Sequence, residues 1–164
     1  MTIFLKGKVL EMNEYEINTQ TLAIIPINKN KSKILETNKE FTINSSAIKI
    51  IDDSCRFFGS SYEGRFCGTK ALTGITYKSP IIIEESRKMI FFPTSSPRSS
   101  SCIWLSFNNI DDYYSEGNDS IIKFSCGKVI KLHVSFTIID NQVLRSTRLE
   151  SILGKRIQNF IKII

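Results

Sequence analysis

The sequence predicts an α+β fold: a largely antiparallel β-sheet with central short helices at about residues 45–71 and a C-terminal amphipathic basic helix at about 141–163. Short apolar runs broken by Gly, Pro, Asn and Ser fill residues 1–44 and 74–134, as is typical of antiparallel strands. Between these two strand-rich parts, apolar residues recur every three or four positions, which indicates a helix. The same spacing returns near the C-terminus, so the helices are few and separate.

Length and composition predict a single folded domain over residues 1–164. A hydrophobic content of 41% is that of a globular protein rather than a disordered one. No apolar run is long enough to span a membrane, and no signal peptide is evident, so we expect a cytoplasmic protein. The four cysteines are widely spaced, which favours free thiols over disulfides or a zinc site. They are Cys55, Cys67, Cys102 and Cys126.

The net charge of +6 is concentrated near the C-terminus. Residues 1–120 hold 14 basic and 14 acidic side chains, whereas residues 121–164 hold 8 basic and 2 acidic ones. A basic third on a neutral body indicates a surface that faces a polyanion such as a nucleic acid. The alternative is a solvated basic tail without a partner.

The first 44 residues predict strands joined by polar turns. We expect one hairpin from Tyr15–Asn18 and Thr21–Pro26, and a second from Lys33–Glu36 and Glu40–Ile43. Between them, Asn28–Lys33 is predicted as a polar, lysine-rich loop. Residues Met1–Leu10 are predicted to add another edge strand.

The central stretch SCRFFGSSYEGR predicts two short helices around a tight turn. A helix capped by Ser45 or Ser46 would end near Gly59, because glycine suits the left-handed position that follows a helix. Ser60 or Ser61 would cap the second helix. Such a turn would present backbone N–H groups and hydroxyls between two arginines, which suits phosphate oxygens. The alternative is a helical hairpin whose aromatic residues fill the core and whose arginines are solvated.

Strand-like runs resume after Gly74. They are Ile75–Lys78, Pro80–Ile83 and Met89–Phe92, and the proline places its run at a sheet edge or a strand start. The following stretch, PTSSPRSSS, has two prolines and one charge, Arg98, so it is neither helix nor central strand. A small-residue loop that carries one arginine suits the narrow, electronegative minor groove of A-tract DNA. The alternative is an ordinary surface loop.

The last strands lead to a basic helix. Cys102–Phe107 is predicted as a strand that buries Trp104, Asp111–Asp119 as an acidic loop, and the two sides of Cys126-Gly127 as a hairpin. The helix would begin at Asn141, capped by Asp140 or Asn141 itself. Its apolar and basic side chains fall on different faces. The basic face could follow the DNA backbone, or it could merely be solvated while the other face docks.

The motifs together resemble one family. SCRFFGSSYEGR is followed by Cys67-Gly68-Thr69, by KSPIII from Lys78, by IFFPTSSPR from Ile90 and by NQVLRSTRL from Asn141. In this order they resemble the competence transcription factor family (ComK) of Gram-positive bacteria, over roughly residues 15–157.

The resemblance implies a DNA-binding transcription activator of competence (DNA-uptake) genes that needs no cofactor. It would bind AT-rich box pairs in double-stranded DNA, mainly through the minor groove, as a homodimer or tetramer in the nucleoid. RNA polymerase and a proteolytic adaptor would be further partners. By the same resemblance, the chain is expected to lack the C-terminal tail of longer family members, which is linked to activation and to adaptor-guided proteolysis.

The residues expected to contact DNA are mostly arginines and serines of these motifs. They are Arg56, Ser60, Ser61, Arg65, Lys70, Arg98, Arg145 and Arg148. A truncated family member that acts as a protein-interaction module, without specific DNA binding, is the alternative.

An enzyme is not expected. The single histidine, His133, would have to serve any Ser-His or Cys-His dyad, and no nucleophile elbow or P-loop is present. Acidic pairs such as Asp52-Asp53 are adjacent in sequence, so their side chains diverge, and a metal-dependent nuclease is a weak alternative.

Overall fold

A six-stranded antiparallel sheet forms the centre of the fold. A computed structural model describes residues 2–5 and 8–163, with side chains described for 12–161. The strands are β1 Thr2–Leu5, β2 Lys8–Glu11, β3 Thr21–Asn28, β4 Lys31–Glu36, β5 Glu40–Ile43, β6 Ile81–Glu84, β7 Met89–Pro93, β8 Trp104–Ser106, β9 Ile110–Glu116, β10 Asp119–Phe124 and β11 Val129–Leu132. The helices are α1 Ala47–Phe57, α2 Tyr62–Thr73 and α3 Phe136–Ile163, with a 3-10 turn at Phe107–Asn109. The predicted α+β class is confirmed.

The strands form three sheets. The six-stranded sheet has the order β5-β4-β3-β8-β7-β6, the three-stranded sheet the order β11-β10-β9, and β1 pairs with β2. The predicted edge position after Pro80 is confirmed, since β6 ends the larger sheet. The predicted hairpins around residues 37–39 and around Cys126-Gly127 are confirmed as β4–β5 and β10–β11.

Both faces of the six-stranded sheet are covered. Trp104 and Phe91 point to the face that packs on α1 and α2, and both are essentially fully buried. Their neighbours Leu105 and Phe92 point to the other face, where the three-stranded sheet and α3 close a second core. This double burial explains why β7 is a continuous apolar run rather than an alternating one. The prediction that Trp104 is a core residue is confirmed.

Strand polarity brings several loops to one end of this sheet. β3 and β7 both pair antiparallel with β8, and β3 and β5 both pair antiparallel with β4, so β3, β5 and β7 run in the same direction. The turn after β3, the start of α1 after β5 and the loop Thr94–Ser101 after β7 therefore lie at one end. The segment 75–80 joins them because β6 runs opposite to β7. We call this the Arg98 end; the β6–β7 turn lies at the opposite end.

The α1–α2 junction follows the prediction closely. Ser46 caps α1, and Gly59 adopts φ +86° directly after it. The N–H of Gly59 donates to Arg56 O at 3.0 Å and that of Ser60 to Cys55 O at 2.9 Å, which is the Schellman pattern. Ser61 then caps α2 by accepting from Gly64 N at 2.9 Å.

Helix α3 begins earlier than predicted. It starts at Phe136 rather than Asn141, and Ser135 Oγ accepts a hydrogen bond from Ile138 N. The predicted cap at Asp140 or Asn141 is therefore wrong, and the Asp140 carboxylate instead accepts from the Tyr113 hydroxyl at 2.7 Å. The first half of α3 is anchored in the core by Leu149, whereas residues 155–161 are all exposed.

Other differences have local causes. Tyr15–Asn18 is not a strand, because Ile17 N donates to the side chain of Ser54 in α1 instead of to a neighbouring strand. The predicted acidic loop is mostly strand β9, whose carboxylates are neutralised across the sheet by pairs such as Lys131–Glu116 at 3.2 Å. Lys31–Glu36 is strand, so the predicted loop shrinks to the turn Lys29–Asn30. Residues 75–78 form no strand, and residues 1, 6 and 7 of the predicted N-terminal strand lie outside the described residues.

Asp52 joins the two central helices, and this has a testable consequence at low pH. Its carboxylate accepts from Arg56 Nε and from Tyr62 N, both at 2.9 Å. Burial alone would raise the pKa of Asp52, but these two hydrogen bonds hold it below its ordinary value. A lowered folded-state pKa means that the stabilisation is present above about pH 4 and is lost as the pH falls through the folded-state pKa.

We therefore expect Asp52→Asn to lower the free energy of unfolding by about 1 kcal/mol at pH 7 and by much less at pH 3. Urea unfolding at both pH values measures this difference. Asp53→Asn is the matched control, because the side chain of Asp53 forms an exposed pair with Lys49 and, among the residues whose side chains are described, no other ion pair or helix cap. An Asp52→Asn penalty that is the same at pH 7 and pH 3 would contradict this role.

Candidate nucleic-acid interface

The loop Thr94–Ser101 is closed at its base and open at its tip. Thr94 N donates to Ile103 O at 2.9 Å, and the Cys102 thiol donates to Ser95 O. Within the tip, Ser99 N donates to Ser96 O at 2.9 Å. The Arg98 side chain is exposed and takes part in no ion pair with any described residue. The loop thus presents one uncompensated guanidinium on a fixed base.

A groove runs along the Arg98 end of the sheet. One part, of about 550 Å³, is lined by Arg98, Tyr62, Phe66, Tyr77 and Lys78. A second part, of about 180 Å³, is lined by Arg98 together with Asn28 and Lys29 of the β3–β4 turn. The two parts share Ile48, Pro97 and Arg98, so they form one continuous surface, which we call the Arg98 groove.

The charge in the Arg98 groove is mainly positive. Lys29, Lys78 and Arg98 line it, and for none of the three is an ion pair found among residues 12–161. Glu63 on α2 contributes a carboxylate to the rim. The Lys78 ammonium lies 5.2 Å from the centre of the Tyr77 ring, so a cation and an aromatic face are presented together. Such a surface attracts a phosphate backbone and can place aromatic edges beside it.

Helix α3 holds two of the segments that form the groove through hydrogen bonds to their backbone carbonyls. The buried Gln142 side-chain amide donates to Pro93 O at 2.6 Å and to Lys78 O at 2.9 Å. Arg145 donates to Tyr77 O at 2.6 Å. Because Pro93 leads into the Arg98 loop and Lys78 into β6, one helix sets the distance between these two segments.

The central motif adjoins the groove through α1 and α2. Arg56 and Ser61 line a shallow extension that shares Ile48, Tyr62 and Glu63 with the groove. The Arg56 side chain is 64% exposed even though it pairs with Asp52. An exposed pair of this kind is weak, so the guanidinium can turn to a phosphate at little cost.

Four of the backbone N–H groups in the expected cradle are already hydrogen-bonded. The N–H groups of Gly59 and Ser60 close the Schellman motif, that of Tyr62 donates to Asp52, and that of Gly64 donates to Ser61. Helix capping has therefore taken four of the donors that a phosphate could use. Gly64 suits this position, because a Cβ atom would lie 2.8 Å from Ser60 Oγ and the Ser60 hydroxyl would have to move.

The remaining residues expected to contact DNA are spread over the surface. Arg65 is only 17% exposed and reaches Glu85 in the β6–β7 turn at 2.8 Å, at the end of the sheet opposite to Arg98. Arg145 is half-buried against Tyr77 O. Lys70 on α2 and Arg148 on α3 are exposed, and neither has an ion pair within the described part of the chain.

Two segments that line the groove were not among those expected from the sequence to contact DNA. The β3–β4 turn was predicted only as a polar loop, and Tyr77–Lys78 as part of a strand. The richness of Asn28–Lys33 in Asn and Lys was visible in the sequence. Its position beside Arg98 was not, because it depends on the pairing of β3 with β8, whose residues are 80 positions apart.

Neither a membrane segment nor a metal site is found in the described residues. No helix over 2–5 and 8–163 is both long enough and apolar enough to cross a bilayer. In the same ranges, no group of three or more His, Cys, Asp and Glu side chains could hold a metal ion. The four cysteines are free, with Cys55 and Cys102 buried and Cys67 and Cys126 exposed.

Comparison with known proteins gives a family match and a similar curated protein, but no similar solved structure. The family model described as "ComK protein" matches residues 12–158. The chain is 37% identical over 152 residues to the "Competence transcription factor" of Bacillus subtilis (strain 168), which covers 90% of this chain and 79% of that relative. No solved structure matches the chain significantly.

Proposed function

The chain belongs to the ComK family, and from this premise we propose that it regulates the transcription of competence genes by binding AT-rich duplex DNA, mainly through the minor groove. A transcription factor family is not a class of enzymes. The Arg98 groove carries the proposal: one exposed arginine on a small-residue loop stands in a positively lined groove.

The shape of the Arg98 loop supports a minor-groove contact. Its side chains, apart from Arg98, are those of five serines, one threonine and one proline, so the loop is slender. The minor groove of A-tract DNA is narrow, and its enhanced negative potential favours an inserted arginine. Because A·T and T·A pairs show the same acceptors there, such a contact separates A·T from G·C without reading an exact sequence.

Contacts with the backbone would supply the rest of the affinity. Arg56 and Ser61 adjoin the groove, and Arg145 supports it. Ser60, the neighbour of Ser61 in the chain, is kept as a further proposed contact. Lys70, Arg148 and Arg65 are kept as proposed phosphate contacts, although Arg65 would have to leave Glu85 first. Phosphate contacts of this kind make binding strongly salt-dependent and carry no sequence information.

Binding to paired boxes would require more than one copy of the chain. The end of α3 offers a contact for a homodimer or tetramer, because Ile157, Phe160 and Ile161 are 44%, 65% and 64% exposed. Exposed apolar side chains grouped on one helix are typical of an interaction surface. RNA polymerase and a proteolytic adaptor are proposed as further partners, and the nucleoid as the place of action.

The same apolar surface favours the second candidate function. A protein-interaction module that binds no specific DNA would use the end of α3 and would leave the Arg98 groove without a role. The two functions differ in what a duplex does to the protein: only the first gives a complex whose stability depends on A·T content.

A salt titration tests the proposed function. Affinity is measured by fluorescence anisotropy on a duplex with two A/T boxes and on a G·C-rich duplex of equal length, with and without a minor-groove ligand as competitor. We expect preference for the A/T boxes, a steep fall in affinity with salt, and loss of the preference when the competitor is present. Equal, weak binding to both duplexes would favour the interaction module.

A further inference from the structure

The β3–β4 turn is the second projection at the Arg98 end of the sheet. It lies beside the Arg98 loop because β3 and β7 run in the same direction on either side of β8, with Ile24 and Pro93 both opposite Trp104. Asn28 and Lys29 line the smaller part of the Arg98 groove together with residues of the loop. The turn residues also line a shallow, open depression together with Asn44.

This turn is held firmly in place. Asn28 pairs with Lys31 across the hairpin, and Asn30 N donates to the Asn28 side-chain oxygen at 2.8 Å. Just below the turn, the buried Ser32 hydroxyl donates to Ser45 O at 2.8 Å, which ties the hairpin to the start of α1. A contact made from this turn would therefore need little ordering when a ligand binds.

The chemistry of the turn fits a nucleic-acid backbone. From Asn28 to Leu35 the chain contains three lysines, two asparagines and no acidic residue. Lys29 is exposed and forms no ion pair within the part of the chain that the structure describes. Lysine and asparagine are among the side chains that proteins use at the minor groove and its phosphates.

We propose that the β3–β4 turn is a second DNA contact, in which Lys29 binds the phosphate backbone at the edge of the minor groove that Arg98 enters. This inference rests on the proposed function. Arg98 and Lys29 would then hold the duplex from two sides, one reading the groove and the other fixing its position. A contact with an acidic protein is the competing use of the same surface.

The test is the affinity of Lys29→Ala for the A/T-box duplex and for the G·C-rich duplex, each over a range of salt. One phosphate contact contributes roughly fivefold in affinity near 0.15 M salt and about 0.9 to the salt slope. We therefore expect Lys29→Ala to lose about fivefold per bound copy on both duplexes, with a slope smaller by about one. Lys29→Arg should retain the affinity, since it keeps the charge.

Arg87→Ala is the matched control. Arg87 is also exposed in a turn, but it lies between β6 and β7 at the opposite end of the sheet, so we expect its loss to leave the slope unchanged. Equal slopes for the wild type and Lys29→Ala would overturn the inference while leaving the proposed function intact. If the wild type itself shows no A/T preference, the proposed function fails and the inference falls with it. A loss in Lys29→Ala that Arg87→Ala reproduces would also overturn it, because the effect would then be one of net charge.

Discussion

Replacing Arg98 with alanine is expected to weaken binding to an A/T-box duplex by about 10- to 100-fold per bound copy, which corresponds to 1–3 kcal/mol for a groove contact. The reason is the position of the side chain: it is exposed, it lines both parts of the groove, and no described carboxylate neutralises it. In a dimer both copies lose the contact, so the measured effect would be larger still.

The specificity of the loss matters as much as its size. Because Arg98 is proposed to sense groove width, Arg98→Ala should lose more affinity on the A/T boxes than on the G·C-rich duplex. Arg98→Lys should recover part of the affinity, since it restores the charge without the planar guanidinium. Arg87→Ala, which removes the same group at the opposite end of the sheet, should have little effect.

An Arg98→Ala variant that binds the A/T boxes as tightly as the wild type would remove the main support for the proposed function. An equal loss on both duplexes would instead make Arg98 a phosphate contact. Anisotropy titrations at two salt concentrations separate these outcomes, and a thermal melt checks that the fold is unchanged.

Replacing Gln142 with leucine is expected to lower both stability and DNA affinity. Gln142 is buried, and its amide is shared between Pro93 O and Lys78 O. Leucine fills a similar volume but donates nothing, so the buried Pro93 carbonyl loses a partner at a cost of about 1–3 kcal/mol, and the partly buried Lys78 carbonyl loses one at a smaller cost. The segments that carry Arg98 and Lys78 would then no longer be held at a fixed spacing, and ordering them would weaken binding.

Urea unfolding measures the loss of stability, and fluorescence anisotropy measures the loss of DNA affinity. Both are recorded at a temperature far below the melting temperature of the protein. Gln158→Leu is the matched control, since Gln158 lies on the same helix but is exposed. If Gln142→Leu is destabilised while its DNA affinity equals that of the wild type, the groove is held without α3, and the role assigned to that helix is wrong.

The sequence predicts best those features that depend on interactions between residues close together in the chain. Gly59 ends α1 because a glycine accepts the left-handed conformation, and Ser61 starts α2 because its hydroxyl accepts an N–H of the first turn. Both choices depend on neighbours within a few residues. The fold class followed in the same way from the apolar spacing.

Features set by distant partners could not be predicted from the sequence. β9 was mistaken for a loop because its acidic residues suggested exposure, whereas pairing with β10 and lysines such as Lys131 make it a strand. The part that Arg65 plays in the ion pair with Glu85 likewise depends on how α2 lies over the β6–β7 turn. The groove itself arises only once β3, β5 and β7 are aligned.

The measurement that tests the central claim most directly is DNA cleavage from a reagent tethered at position 100, which leaves Arg98 in place. Cys67 and Cys126 are replaced by serine, and Ser100→Cys, at an exposed position that lines the Arg98 groove, provides the attachment point for an iron chelate that releases hydroxyl radicals. Burial raises the pKa of the Cys55 thiol to about 12 and also raises the pKa of the Cys102 thiol, so both stay protonated and unreactive. The same chelate on Arg87→Cys serves as the control.

A reagent in the minor groove cuts both strands at positions displaced toward their 3′ sides. We predict this pattern, centred on the A/T boxes, for the chelate at position 100, and no localised cutting for the chelate at position 87. Cutting displaced toward the 5′ sides would place the loop in the major groove. That pattern, or the absence of any localised cutting from position 100, would contradict the proposal that the Arg98 groove reads DNA through the minor groove.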